Sequence, residues 1–404
     1  MTSVQLDEQG SVTTPAGFLA GAIHAGVKYD DPERLDVGLL FSERPCAAAA
    51  MFTRSTVPGA PVIVSREHIR AGRARAIVTN SGVANVATGE AGIRNARTMC
   101  EAAARKLGIE PDELLVGSTG VIGWTLPIEK ICAGIAALQL ERDGGSKLAR
   151  AIMTTDTRPK HVSASFEAGG RRYHVGGVAK GSGMIHPDMA TMFGFVTTDA
   201  PVAAGFVDSL FRPIVDETFN MMSVDGDTST SDTVVLLANG AGGGDAIGAA
   251  SPAATPLREA VFGVSHWLAR ALAADGEGAT KLIEVRISGA RSAEEARRAA
   301  RTITASPLVK TAIYGNDFNW GRILMAIGRS GAAIDLARAT VAIGDVLAYR
   351  AGEPQSPPAE VALAALRGPE VVISADLGVG DGRAVGWGCD MTEEYIRINA
   401  EYTT

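Results

Sequence analysis

Aromatic side chains make up only 5% of the 404 residues, and the four cysteines, Cys46, Cys100, Cys132 and Cys389, stand far apart with no CxxC pair among them. That spacing excludes a dithiol redox motif and a thiolate metal knuckle; buried thiols in a reduced, cytoplasmic setting are expected instead. Lysine and arginine number 38 against 45 aspartates and glutamates, giving a net charge of −7, and the basic residues are scattered. No block of them could track a phosphate backbone, so nucleic acid is not an expected partner. No uninterrupted apolar segment is long enough to span a bilayer, and "MTSVQLDEQGS" at the start has neither the basic nor the apolar region of a leader, so no membrane partner is expected. The six histidines form no HxxxH or HExxH pair, which leaves no support for a metal site.

What is abundant is glycine, at 47 residues, together with enough length for roughly two or three domains. "RAIVTNSGVAN" (75 to 85) and "ELLVGSTG" (113 to 120) read as strands that break at small polar residues. Between them Ile93, Ala96, Met99, Cys100, Ala103 and Leu107 recur at helical spacing, with Gly108 as the stop. Pro127 suits the first turn of a further helix. In the second half "TVVLLANG" (233 to 240) is a buried strand, 257 to 273 is helical, and "KLIEVRISGA" (281 to 290) is a strand. Ser292 with Glu295 makes a capping box for the helix that follows. The interleaving predicts mixed α/β layers.

Several familiar signatures fail. "VAKGSGM" and "GEGATK" lack the spacing of a phosphate-binding loop. "DGDTSTSD" (225 to 232) begins like a calcium loop, but its turn position is Thr230 and its twelfth position Leu236. His186 lies five residues before Thr191 and is a candidate base, although a surface histidine is the commoner outcome. "GSG" at 181 to 183 is not a GxSxG nucleophile elbow.

Small hydroxyl and glycine residues do gather where strands end: "TNSG" (79 to 82), "GSTG" (117 to 120), "MTTDT" (153 to 157), "AKGSG" (179 to 183) and "ATM" (190 to 192). A hydroxyl is a nucleophile and a glycine backbone can offer its N–H to an oxyanion, so the set fits acyl transfer. Taken singly, each cluster is more often a turn.

Six ordered motifs resolve that ambiguity. "AIMTTDTRPK", "AKGSGMIHPDMATM", "SVDGDTSTSD", "DGEGATKLIEV", "NWGRILMAIG" and "YIRINAEYTT" closely resemble the ornithine acetyltransferase family, also called glutamate N-acetyltransferases. The resemblance implies self-cleavage between Ala190 and Thr191 into an α chain of residues 1–190 and a β chain of residues 191–404. Thr191 is then an N-terminal nucleophile whose own amine is its base; with a reference pKa of about 7.7 to 8.0, a useful fraction of that amine is neutral. By the same resemblance Thr119 and Gly120 form the oxyanion hole, and Thr154, Lys180, Thr191, Glu277, Asn399 and Thr404 bind substrate. The implied reaction is ping-pong: N-acetylornithine acetylates Thr191, ornithine leaves, and glutamate takes the acetyl group. No cofactor is implied, with acetyl-CoA open as a second donor. The implied assembly is two α and two β chains.

The implied fold is an αββα-type sandwich like that of the self-processed N-terminal-nucleophile aminopeptidases. A main domain is expected over 1–280, and a smaller α/β domain over 281–404 whose tail returns to the active site. Two positions depart from the usual pattern, Val83 where asparagine is more usual and Phe318 where proline is common. Other classes stay open at this point: an N-terminal-threonine aminopeptidase or amidase, an acetyltransferase variant of a specialised pathway, and an uncleaved binding protein.

Overall fold

The strand Val37–Phe52 is the spine of the larger sheet in the computed structural model, which describes residues 4–186 and 192–401. Its middle, "SERP", is neither alternating nor apolar, and Pro45 cannot donate to a ladder. The pairing with Arg73–Asn80 accordingly jumps from Phe41↔Ala76 to Cys46↔Ala74. A bulge of this kind is where a proline is tolerated, and it bends the strand that carries it.

Among the described residues nine strands make this sheet. Gln5–Asp7, Lys160–Ala168, Arg171–Lys180, Phe193–Thr198 and Thr233–Ala238 lead to the spine strand, and Arg73–Asn80 and Leu114–Ser118 lie beyond it; Phe18–Ile23 pairs with its first half. Asn80 and Ser118 are neighbours at the ends of two parallel strands. Lys180 is opposite Phe193, which is opposite Thr233, at another end of the sheet. The sheet curls enough to bring these ends together: a methyl placed on Gly117 would lie 2.9 Å from the Phe193 ring. Inside the curl Phe18, Leu40, Ile77, Leu115, Phe193, Phe195 and Leu237 form one apolar cluster.

The second sheet has seven strands among the described residues, with Leu282–Ala290 between Glu370–Asp376 and Gly382–Cys389. Apart from Met222–Ser223, all of its strands follow residue 280. Helix Ala254–Ala274 lies on Lys160–Ala168 and Arg171–Lys180, where Gly177 leaves room for Val264 and Leu268. One large apolar cluster runs from the first sheet through this helix into the second sheet. The architecture is therefore mixed α/β with two sheets, as the sequence predicts. No described helix is long and apolar enough to cross a membrane.

Most local expectations match closely. The helix with the Gly108 stop spans Gly89–Leu107, and Gly108 takes φ +67° with its N–H on Ala104 O. Ser292 caps Ala293–Thr304, its Oγ accepting from Glu295 N at 3.2 Å. The C-terminal stretch forms helix Glu393–Glu401. Gly278, at φ +68°, lets that helix approach so closely that a methyl there would sit 2.6 Å from Tyr395 N. Thr392 Oγ1 donates to Gly278 O at 2.7 Å and fastens the helix start.

Candidate active site

Two of the turns singled out in the sequence are pressed against each other. Thr119 N donates to Asn80 O and Val121 N to Gly82 O, each at 3.1 Å, so the loops after the paired strands run side by side. Between these bonds, Gly120 N–H has no acceptor among the described residues. Gly120 has φ +126°, and a methyl on it would lie 2.3 Å from Gly82 C, so only glycine fits. Val83, one of the two unusual positions, is buried and bridges to Val121 behind this turn.

Three further loops are gathered by a buried ion cluster. Lys160 Nζ lies 2.6 Å from both Asp156 Oδ1 and Asp275 Oδ2, with Lys160 only 1% exposed. Asp156 also accepts from Thr154 N at 3.1 Å and Gly181 N at 2.7 Å. Asp275 accepts from Thr157 N at 3.1 Å and from the Thr157 hydroxyl. Ser182 Oγ donates to Asp275 O at 2.6 Å, and Glu277 N donates to Ser182 O at 3.0 Å. Thr154, Lys180 and Glu277 are thereby set by the same few bonds. Burial acts to raise the Asp156 pKa, but the charges of Lys160 and Lys180 and the bonds it accepts hold the carboxyl below its ordinary value.

Thr119, Gly120, Thr154, Lys180, Glu277 and Asn399 all line a single cavity, which also has Met192, Phe193 and Asp232 in its wall. Lys180 Nζ donates to Thr154 Oγ1 at 3.1 Å and makes no ion pair among the described residues. Burial pulls its pKa below the usual lysine value. It is a largely buried cation with no direct ion pair, on which Asp156, Asp232 and Glu277 act from further off, so a carboxylate arriving in contact with it would offset part of its burial cost. Glu277, almost fully buried, accepts from Asn399 Nδ2 at 2.7 Å. A methyl on Gly183 would lie 2.4 Å from that carboxylate, so this glycine leaves it room. Ala190, Thr191 and Thr404 lie outside the described residues.

Sequence reasoning missed three charged neighbours. Lys28 and Arg34 line the cavity, Arg34 Nη2 donating to Thr154 O at 3.0 Å and its guanidinium stacking 4.1 Å from the Tyr29 ring centre. Neither stands in a recognisable motif. Asp232 stands in "DGDTSTSD", part of a motif that carries the family resemblance, but the resemblance gave it no role in the site. His186 is not part of the cavity wall: its Nδ1 meets Ser223 Oγ at 3.1 Å and its Nε2 meets Arg301 Nη2 at 3.3 Å. Asp225, the first residue of the supposed calcium loop, accepts from Met184 N at 2.6 Å and Ile185 N at 2.9 Å and closes the loop before the proposed scission.

Comparison with known proteins gives the family. The sequence signature of the ArgJ family matches residues 19–404. The arginine biosynthesis bifunctional protein ArgJ of Symbiobacterium thermophilum is 49% identical over 397 residues, which is 98% of this chain and 99% of that protein. The crystal structure of ArgJ from Bacillus halodurans, at 44% identity and TM-score 0.51, covers 52% of this chain and 100% of its own. Ornithine acetyltransferase from Mycobacterium tuberculosis, solved with ornithine, is 40% identical, covers 46% of this chain and 100% of its own, and has a TM-score of 0.44. With 98% of its length matched to a relative of this kind, the chain belongs to the ArgJ family of enzymes, acyltransferases of arginine biosynthesis.

Proposed function

We propose that this enzyme cuts itself between Ala190 and Thr191 and then uses the freed threonine to carry acetyl from N-acetylornithine to glutamate. The Thr191 hydroxyl attacks the preceding carbonyl, an N-to-O shift gives an ester, and hydrolysis releases the amine that serves as base in every later turnover. The observation that carries the reading is the cavity wall: a buried lysine with no direct ion pair and a buried glutamate meet a glycine turn with an open N–H, beside Met192.

In this reading Lys180 takes the substrate α-carboxylate, and the Glu277–Asn399 pair takes an ammonium or amide N–H. The Thr119 hydroxyl and Gly120 N–H stabilise the oxyanion; one such donor is typically worth about 10²–10³ in rate. Lys28 and Arg34 add positive charge at the same cavity, which suits an acceptor with two carboxylates such as glutamate. Thr404 adds a further substrate contact, as the resemblance implies. The solved Bacillus halodurans chain, matched over its whole length, spans 52% of this one, a length that fits a chain cut near its middle. Two copies of each fragment then assemble as an α2β2 enzyme.

Mass spectrometry of the 191–404 fragment after brief exposure to N-acetylornithine tests the scission and the acyl-enzyme together. The expected fragment begins at Thr191 and is heavier by one acetyl group, which glutamate removes as N-acetylglutamate. A full-length chain that turns over substrate refutes the mechanism, and release of free acetate at the same rate with or without glutamate refutes the transferase assignment. Thr191→Ala is expected to stay uncleaved and inactive. The same measurement with acetyl-CoA as donor tests the second acetyl source.

A further inference from the structure

Asp232 is 1% exposed and stands immediately before strand Thr233–Ala238, with its side chain in the cavity wall. Met192 N and the Ser229 hydroxyl lie near enough to its carboxyl to act on it. Met192 is held from the other side as well, since its carbonyl accepts from Thr233 N at 3.0 Å. The second carboxyl oxygen, Oδ2, is buried and has no hydrogen-bond partner among the described residues. A buried carboxyl left half-satisfied is unusual, and structure alone does not call for it: an asparagine could accept from Met192 N equally well.

Position gives this oxygen a use. The carbonyl carbon of residue 191 is bonded directly to Met192 N, and every reactive atom of a threonine at 191, hydroxyl or amine, is only a few bonds further along. Asp232, next to the Thr233 amide that binds Met192 O, thus stands alongside the residue to which position 191 is bonded. The charge acting on Asp232 comes from Lys180, two strands away across Phe193–Thr198, and burial still pushes the carboxyl well above its ordinary range, so the neutral acid persists to higher pH.

Resting on the N-terminal-threonine reading above, we propose that Asp232 is a proton relay of the acyl transfer. As the Thr191 oxygen forms its ester bond and the carbonyl–nitrogen bond of N-acetylornithine breaks, the acid form of Asp232 gives its proton to the departing nitrogen. The carboxylate so formed recovers a proton from the Thr191 amine, which holds the one taken from the hydroxyl. Attack by the glutamate amine runs the same transfers in reverse, and the enzyme returns to its starting state.

Asp232→Asn tests this, because it keeps the acceptor for Met192 N and removes the titrating proton. Acetylation of the 191–404 fragment is followed by mass spectrometry in single turnovers at saturating N-acetylornithine, so that Lys180, which acts in binding, drops out of the pH profile. The Asn variant is expected to acetylate about 10²–10⁴-fold more slowly. The wild-type rate is expected to fall on the alkaline side as Asp232 ionises, and the variant is expected to lack that fall. A rate within about threefold of wild type, or an unchanged alkaline limb, overturns the proposal. Should the Asn variant fail to fold or to cleave, Asp232→Glu decides: retained acetylation with a displaced alkaline limb supports the relay, and an uncleaved protein or an unmoved limb overturns it. Wild-type enzyme that never gains an acetyl group defeats the underlying reading instead, which keeps the two failures apart.

Discussion

Replacing Lys160 by methionine keeps the volume of the side chain and removes the charge on which three loops converge. The ammonium sits 2.6 Å from a carboxylate oxygen of Asp156 and of Asp275, and the exposures of the three side chains are 1%, 0% and 5%. Without it the two oxygens face each other within about 5 Å, out of reach of water to screen them. Breaking a buried pair from one side costs about 3–5 kcal/mol, because the partner is left as an uncompensated buried charge. Residual help is real: Asp156 keeps the amides of Thr154 and Gly181, and Asp275 keeps both donors of Thr157. A loss near 4 kcal/mol is therefore expected. At an unfolding entropy of about 2.1 cal/mol/K per residue, this lowers the melting midpoint by about 5 °C if the chain unfolds as one unit.

The pH dependence carries the sharper test. In the native enzyme Asp156 titrates below its ordinary value of 3.8, so it contributes stability above pH 3.8 that is lost as pH falls through the lower folded value. Without Lys160 burial dominates and the folded value rises above 3.8; the carboxyl then costs stability at neutral pH, and protonation relieves that cost as pH falls. The difference between variant and native protein is thus expected to narrow from pH 7 toward pH 4 in thermal or denaturant unfolding. A midpoint unchanged at pH 7, or a difference that widens in acid, refutes the assignment of Lys160 as the charge that keeps these loops together. Asp275→Asn added to Lys160→Met is expected to recover part of the loss, since it removes one of the two stranded charges.

That cluster also marks the limit of what local sequence reveals. Asp156 and Lys160 stand four apart, a spacing that on a surface helix is a weak solvated pair; nothing nearby shows that Asp275 closes on them or that water is excluded. Helix Gly89–Leu107 and strand Leu282–Ala290 are legible because one apolar face repeats with the period of the element, and the end of the helix is marked by Gly108. The spine strand is not, because "SERP" interrupts its pattern and only the bulge lets both halves remain one strand. In the site, Lys180, Glu277 and Asn399 come from three distant segments, and the ordered family motifs name them where periodicity could not. Arg34 and Lys28 belong to no motif, and Asp232 has a distinctive character only because Met192 and the curled sheet enclose it.

Three substitutions probe the cavity itself. Gly120→Ala puts a methyl 2.3 Å from Gly82 C at a backbone angle that alanine rarely adopts, and transfer is expected to fall by about 10²–10³ as the turn shifts; an activity assay showing native kcat would mean that this N–H faces no oxyanion. Asn399→Ala removes the donor 2.7 Å from the Glu277 carboxylate, and steady-state assays are expected to show a higher KM with kcat less affected. Lys180→Met is expected to bind carboxylate substrates at least about tenfold more weakly without loss of stability, because the native cation is buried with no ion pair among the described residues and its folded pKa lies below the ordinary 10.5. The sign follows from that shift: the charged lysine costs folding free energy below pH 10.5 and is relieved as pH rises, while substrate binding by the native enzyme is lost as pH rises through the lowered value. Native kcat/KM should therefore carry an alkaline decline through loss of binding in addition to the one assigned to Asp232, and in Lys180→Met only the Asp232 part should remain. An unchanged KM in that variant, or a marked drop in its melting midpoint, would make Lys180 a structural cation rather than the site of the substrate carboxylate.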